Sequence, residues 1–204
     1  MAGRNVAREV DTARIQGAGD TVANHRFRLA ARYVAGGGVI AYPTEAVFGL
    51  GCDPLNPNAV RRLLALKRRS EDKGLILIAA DLAQLLPFVE LLPEAAMRPV
   101  LATWPGPVTW LLPARPSTPG WLTGRYDTLA VRVTGHAFAA ALCRACGPLV
   151  STSANQGGRP PAKTPLEVRM RLPEGPDLIL HAPLGDSDRP SRILDARTGR
   201  ALRA

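Results

Sequence analysis

Side chains able to do chemistry sit in polar clusters that each follow or interrupt an apolar run. One cluster lies in Tyr42-Pro43-Thr44-Glu45-Ala46-Val47-Phe48-Gly49-Leu50-Gly51, directly after Val39-Ile40-Ala41. Thr44 offers a hydroxyl and Glu45 a carboxylate. A strand that ends in a polar turn sets both at a sheet's carboxyl edge, where α/β folds bind ligands. Gly49 and Gly51 permit close backbone approach or positive φ. A second cluster, Lys67-Arg68-Arg69-Ser70-Glu71-Asp72-Lys73-Gly74, closes a helical run. Basic residues there complement the helix dipole. If the helix unwinds after Lys67, however, Lys67 and Arg69 converge on a phosphate chain, the one as a point charge and the other as a fork. In Val150-Ser151-Thr152-Ser153-Ala154-Asn155, an extended backbone turns Ser151, Ser153 and Asn155 to one face. That face suits an amino acid, a ribose or phosphate oxygens, or it satisfies its own backbone in a polar loop. Arg132, inside the apolar run Leu129 to Val133, calls for an anionic ligand, a buried carboxylate or an edge strand facing water.

The elements that must position these groups alternate between helical and strand-like patterns. Apolar spacing predicts helices over Thr21 to Tyr33, from Asn56-Pro57 onward, after Asp81, over Glu94 to Thr103, His136 to Cys146 and Glu167 to Leu172. Asn56 is the expected N-cap, with Pro57 at the first helical position. Strands are expected at Leu75 to Ile78, Val108 to Leu112, Leu129 to Val133, Leu149 to Ser151, Leu178 to Leu180 and Arg192 to Leu194. Such alternation predicts an α/β sheet, mixed in strand direction and covered by helices. Gly36-Gly37-Gly38 precedes its strand, whereas a dinucleotide fingerprint follows one.

At 204 residues the chain can bury one sizeable core, and 46% hydrophobic with 21% charged residues is ordinary for a globular protein. A net charge of +9 predicts polyanionic partners. No run has the length of a membrane span, and residues 1–20 read as a loose extension without an apolar leader, which suggests the cytoplasm. Three cysteines fit a reducing compartment, and the Cys143/Cys146 pair has no second pair with which to form a zinc site.

Taken together, YPTEAVFGLG, KRRSEDKG with LILIA, WPGPVT, LAVRVT, STSAN and PSRILD resemble, in order and spacing, the YrdC/TsaC family, the threonylcarbamoyl-AMP synthases. The similarity runs from about Ala30 to Arg200 and is closest to the short bacterial form. It implies a single-domain α/β fold over residues 21–204, a twisted mixed sheet flanked by helices with a deep basic cleft. It also implies the joining of L-threonine, bicarbonate and ATP into L-threonylcarbamoyladenylate with release of pyrophosphate, for threonylcarbamoylation of adenosine 37 in tRNA. By the same resemblance Lys67 and Arg69, of the KxR motif, are the catalytic pair, and Thr44, Arg132 and Ser153 contact threonine. Lys67, Thr109, Ser151, Asn155, Ser191 and Arg192 would contact the nucleotide. No tightly bound protein metal site is implied, Mg²⁺ being carried in with ATP. The implied partners are the threonylcarbamoyl transferase complex and tRNA or double-stranded RNA. Ser70 stands where the family usually has proline, which leaves that turn freer; a loop around Arg68 to Asp72 is expected to close the cleft. Two other readings are a non-catalytic RNA-binding module, supported by the charge, and a relative adenylating another carbamate, as in hydrogenase maturation.

Overall fold

Short continuous apolar runs give each central strand two buried faces, and this sorts the core into two layers. The computed structural model describes residues 25–203, so the expected extension at residues 1–20 lies outside the described residues. Helix α1 covers residues 25–35. Strands β1 (Ile40–Pro43) and β2 (Phe48–Gly51) form a hairpin, followed by α2 (Pro57–Lys67), a 3-10 turn at Glu71–Lys73 and β3 (Ile76–Ala79). Then come α3 (Glu94–Ala102), β4 (Val108–Pro113), the short α4 (Gly120–Thr123), β5 (Thr128–Val133), α5 (Ala137–Cys146) and β6 (Leu149–Ser153). Helix α6 (Pro165–Arg171) and strands β7 (Leu178–Ile179), β8 (Arg192–Asp195) and β9 (Ala201–Arg203) complete the order.

The nine strands among the described residues join one mixed sheet in the order β7-β1-β2-β6-β3-β5-β4-β8-β9. Pairs β1/β7, β3/β5 and β4/β8 are parallel, and the remaining neighbours are antiparallel. One face carries Ala41, Leu77, Val131, Trp110 and Val150 and packs against Val60, Leu63 and Leu64 of α2 and Met97 and Val100 of α3. The opposite face carries Tyr42, Ile40, Ile78 and Leu149 and packs against Ala30 and Val34 of α1 and Ala139, Leu142 and Cys143 of α5.

Helix α2 starts as its sequence dictates: Asn56 Oδ1 accepts from the amides of Asn58 and Ala59, each at 3.1 Å, and Pro57 fills the first helical position. Three expectations are corrected. Phe48 to Gly51 is a buried strand rather than part of the polar turn, and β9 has no counterpart in the apolar pattern. The segment after Asp81 forms turns: Leu85 and Leu86 amides return to Leu82 O, but Pro87 has no N–H to extend the series. Ser70 also proves to be engaged rather than free. Its φ of −64° is one that proline would hold, and its hydroxyl accepts from Asp72 N and donates to Asp72 Oδ2, capping the 3-10 turn. Cys143 is buried in the second layer with its thiol directed at Ile78 O, and burial pushes the Cys143 and Cys146 thiols up to about 12 and about 11. At neutral pH both keep their protons.

The hairpin is held against β6 by the smallness of its glycines. A Cβ at Gly51 would stand 2.8 Å from Val150 O and 2.8 Å from Tyr42 Cε1. Gly51→Ala is therefore expected to destabilise the fold by about 1–3 kcal/mol, as overpacking does. Gly120→Ala, where a Cβ meets nothing within 4 Å, should stay within about 0.5 kcal/mol of the parent. Denaturant unfolding of the two variants decides this.

Candidate active site

Where α1 and α5 leave the second face uncovered, the sheet floors a cavity of about 660 Å³. A row of directly paired residues crosses that floor from Ser151 on β6 through Ile76 on β3 and Ala130 on β5 to Leu111 on β4. The walls are the hairpin turn Thr44–Val47, the end of α2, the loop after β6, and Arg189 to Ser191 with Arg203 of β9. The lining holds seven cationic residues, Lys67, Arg68, Arg69, Lys73, Arg132, Arg189 and Arg203, against one carboxylate, Glu45.

The chain delivers Lys67 and Arg69 by ending α2 abruptly. Arg68 takes the left-handed conformation (φ 49°, ψ 49°), its amide returns to Ala65 O at 2.9 Å, and the Arg69 amide reaches Leu64 O at 3.0 Å. Those paired bonds are a Schellman closure. Glycine usually occupies the left-handed position, and an arginine there costs about 1–3 kcal/mol. The turn separates Lys67 and Arg69 from helical spacing and lets both line one wall. Lys67, 4% exposed, donates to Ser153 O, to Asn155 O at 2.9 Å and to Asn155 Oδ1 at 3.2 Å. Burial, and then the Arg69 charge, lower the ammonium from 10.5 to about 8. Arg69 donates to Gly74 O at 3.0 Å, which ties the helix end to the start of β3.

Ser153 and Asn155 do not simply face the cavity. The Ser153 hydroxyl donates to Asn155 Oδ1 at 2.5 Å, and Asn155 Nδ2 donates to Gln156 O and Arg159 O. Both residues line the cavity while their polar atoms shape the loop that grips Lys67. Thr44 is 7% exposed; its hydroxyl donates to Val47 O at 2.7 Å and closes the hairpin turn, which leaves the oxygen as an acceptor.

Arg132 answers the question that its sequence posed. It stands on a central strand, 7% exposed, with Nη1 3.1 Å from Glu45 Oε2. Glu45 Oε1 accepts from the Thr134 hydroxyl at 2.7 Å. The ion pair is close but not aligned as a hydrogen bond: among the described residues, Glu45 Oε2, Arg132 Nε and Arg69 Nε are buried without a hydrogen-bond partner. A buried donor left open costs about 1–3 kcal/mol. Both arginines line the cavity, but these two Nε atoms are themselves buried away from it.

Two expected contacts are not brought to the cavity. Arg192 is exposed and absent from the lining, because its neighbours Ser191 and Ile193 face inward and strand alternation sends Arg192 to the other side. Thr109 is fully buried behind Ser191, with the two hydroxyl oxygens 3.1 Å apart. Arg203 does line the cavity, and its guanidinium donates to Ser191 O at 2.9 and 2.7 Å and to Ser191 Oγ at 3.2 Å. Glu45, Arg189 and Arg203 were not among the expected contacts. A carboxylate in a turn signalled the first, whereas no local pattern marks the other two.

The open face of this α/β sheet gathers cations and small hydroxyls around one cavity, the lining expected of a site for a compact anion. The Sua5/YciO/YrdC family model, described as Telomere recombination, matches residues 32–204, and the chain belongs to that family. A threonylcarbamoyl-AMP synthase of Nitrosococcus oceani is 59% identical over 181 residues, 88% of this chain and 98% of the relative. Another, from Methylococcus capsulatus, is 52% identical over 183 residues, 89% and 98% respectively. E. coli YciO has a TM-score of 0.78 at 28% identity and covers 88% of each chain. P. abyssi Sua5 complexed with L-threonine has a TM-score of 0.77 at 33% identity, over 83% of this chain and 50% of that one.

Lys67 should give polyanion binding a pH profile. With its proton lost above about 8, affinity for inorganic triphosphate is expected to fall as pH rises from about 7 to about 9. Lys67→Arg keeps its charge and should flatten that fall. Calorimetric titration across the range tests this, and an equal slope in both proteins would contradict it.

Proposed function

We propose that the chain is a threonylcarbamoyl-AMP synthase that makes L-threonylcarbamoyladenylate and pyrophosphate from L-threonine, bicarbonate and ATP. The supporting observation is the convergence of Thr44, Lys67, Arg69, Arg132, Ser151, Ser153, Asn155 and Ser191 on one cavity from distant parts of the sequence. The reaction also explains why positioning outweighs nucleophilic machinery here. Threonine's amine and bicarbonate form a carbamate, and a carbamate oxygen attacks the α-phosphorus, so the nucleophile is the substrate's own. The protein's work is alignment and neutralisation of charge.

In this reading Lys67 and Arg69 face the triphosphate and offset the charge that grows on departing pyrophosphate. Arg132, which lines the cavity, receives the threonine carboxylate. Glu45, the one acidic residue in the lining, lies beside it as counter-charge for the amine. Mg²⁺ enters as part of the ATP substrate. Excluding water protects the carbamate and the mixed anhydride, both of which hydrolyse, and closure is assigned in this reading to the Arg68 to Asp72 turn, which borders the cavity. The product passes to a threonylcarbamoyl transferase for tRNA modification, and the charge of +9 favours contact with that RNA. No helix among the described residues is long and apolar enough to cross a membrane.

Pyrophosphate release should require all three substrates together. Lys67→Ala and Arg69→Ala should each lower turnover by about 10²–10³-fold, the usual loss when a preorganised charge contact is removed, with the circular dichroism of the parent retained. Normal turnover in both variants would refute the phosphate assignment, and pyrophosphate release without threonine would refute the synthase.

A further inference from the structure

Tyr42 lies outside the cavity lining and is fully buried, yet its phenol is aimed at the floor. The side chain starts on β1 and reaches past the whole width of β2 to β6, where the phenol oxygen is 3.0 Å from Ser151 Oγ. A tyrosine can cross a neighbouring strand only if that strand has no side chains in the way. Gly49 and Gly51 meet the condition: a Cβ at Gly49 would stand 3.4 Å from Tyr42 Cζ, and one at Gly51 2.8 Å from Tyr42 Cε1. The tyrosine and both glycines of the YPTEAVFGLG stretch thus form one device, a bare strip of β2 with an aromatic ring laid across it.

The direction of the bond follows from what each hydroxyl can find. Tyr42 has Ser151 Oγ as its acceptor, and burial pushes the phenol well above its ordinary range, so it remains a donor. Ser151 Oγ then accepts, and among the described residues its own proton has no protein acceptor. Ser151 lines the cavity, so that proton is available there. We propose that Tyr42 is a positioning residue of the active site, fixing the Ser151 hydroxyl as a donor into the cavity. Without the phenol the serine rotor is free to present a lone pair to an anionic substrate as readily as its proton. This rests on the reading above, that the cavity binds ATP and L-threonine.

The test is a double-mutant cycle read by binding, so that it stands apart from the turnover assay. Calorimetric Kd values for ATP and for L-threonine are measured on the wild type, Tyr42→Phe, Ser151→Ala and the double variant. Tyr42→Phe is expected to weaken one of the two ligands by about fivefold to tenfold, the worth of one hydrogen bond, and to leave the other unchanged. Ser151→Ala should weaken the same ligand at least as much, and the double variant should match Ser151→Ala. Multiplying effects in the double variant, equal weakening of both ligands, or wild-type affinities in Tyr42→Phe would each overturn the proposal. So would a Ser151→Ala variant that binds both ligands normally. Wild-type protein that binds both ligands but releases no pyrophosphate would overturn the synthase reading and leave this inference standing; wild type that binds neither overturns both.

Discussion

The Lys67 ammonium, enclosed by the carbonyls of Ser153 and Asn155, holds the rest of the site in place. Burying a cation is costly unless oxygens surround it, and the end of β6 and the loop after it provide three in one small space. The tie is reciprocal, because the Gly157 amide donates to Lys67 O at 2.8 Å. Side chain and backbone of one residue thereby join the end of α2 to the end of β6, elements 86 residues apart in the chain. The KxR and SxN motifs accordingly work as one unit: the second fixes the cation that the first supplies. With its carbonyls fully engaged, the loop has little freedom to open without exposing a buried charge.

That arrangement concentrates strain and unmet polarity at one place. Arg68 sits in a left-handed conformation that few side chains adopt, and Arg69 Nε and Arg132 Nε are buried without acceptors. Each feature opposes folding by a kcal/mol or more. The two core layers compensate: Leu77, Val131 and Leu129 on one side and Ile78, Leu142 and Leu149 on the other are completely buried. Full burial of such side chains contributes about 1.5–3 kcal/mol each. A core of this kind tolerates a site whose groups are arranged for a ligand rather than for one another.

The alternation of elements and the positions of Thr44, Lys67, Arg69, Arg132 and Ser153 were legible in the sequence because each depends on local pattern. Asn56-Pro57 marked a helix start, and an arginine inside LAVRV demanded a partner. What was missed depends on tertiary context. Strand β2 reads as a turn because two of its four residues are glycine, and it is a strand only because Tyr42 and β6 need a bare neighbour. Arg203 belongs to a short, exposed edge strand with no apolar signal, so its approach to Ser191 appears only once β8 and β9 pair. Arg192 fails for a simpler reason: one step along a strand reverses the side that a residue faces.

The imbalance of charge in the cavity argues for a substrate that carries several negative charges. Seven cationic residues around a single carboxylate repel one another, and Glu45, already engaged by Thr134 and Arg132, neutralises only one of them. Backbone carbonyls at Ser153, Asn155 and Gly74 relieve part of the remainder as dipoles, which direct the cations without cancelling them. A neutral amino acid alone leaves that repulsion in place. In the proposed reaction a triphosphate removes most of it, and as pyrophosphate separates from the α-phosphorus its charge would grow beside Lys67 and Arg69. On that proposal the excess of cations acts most strongly on the departing group, where electrostatic preorganisation accelerates a displacement.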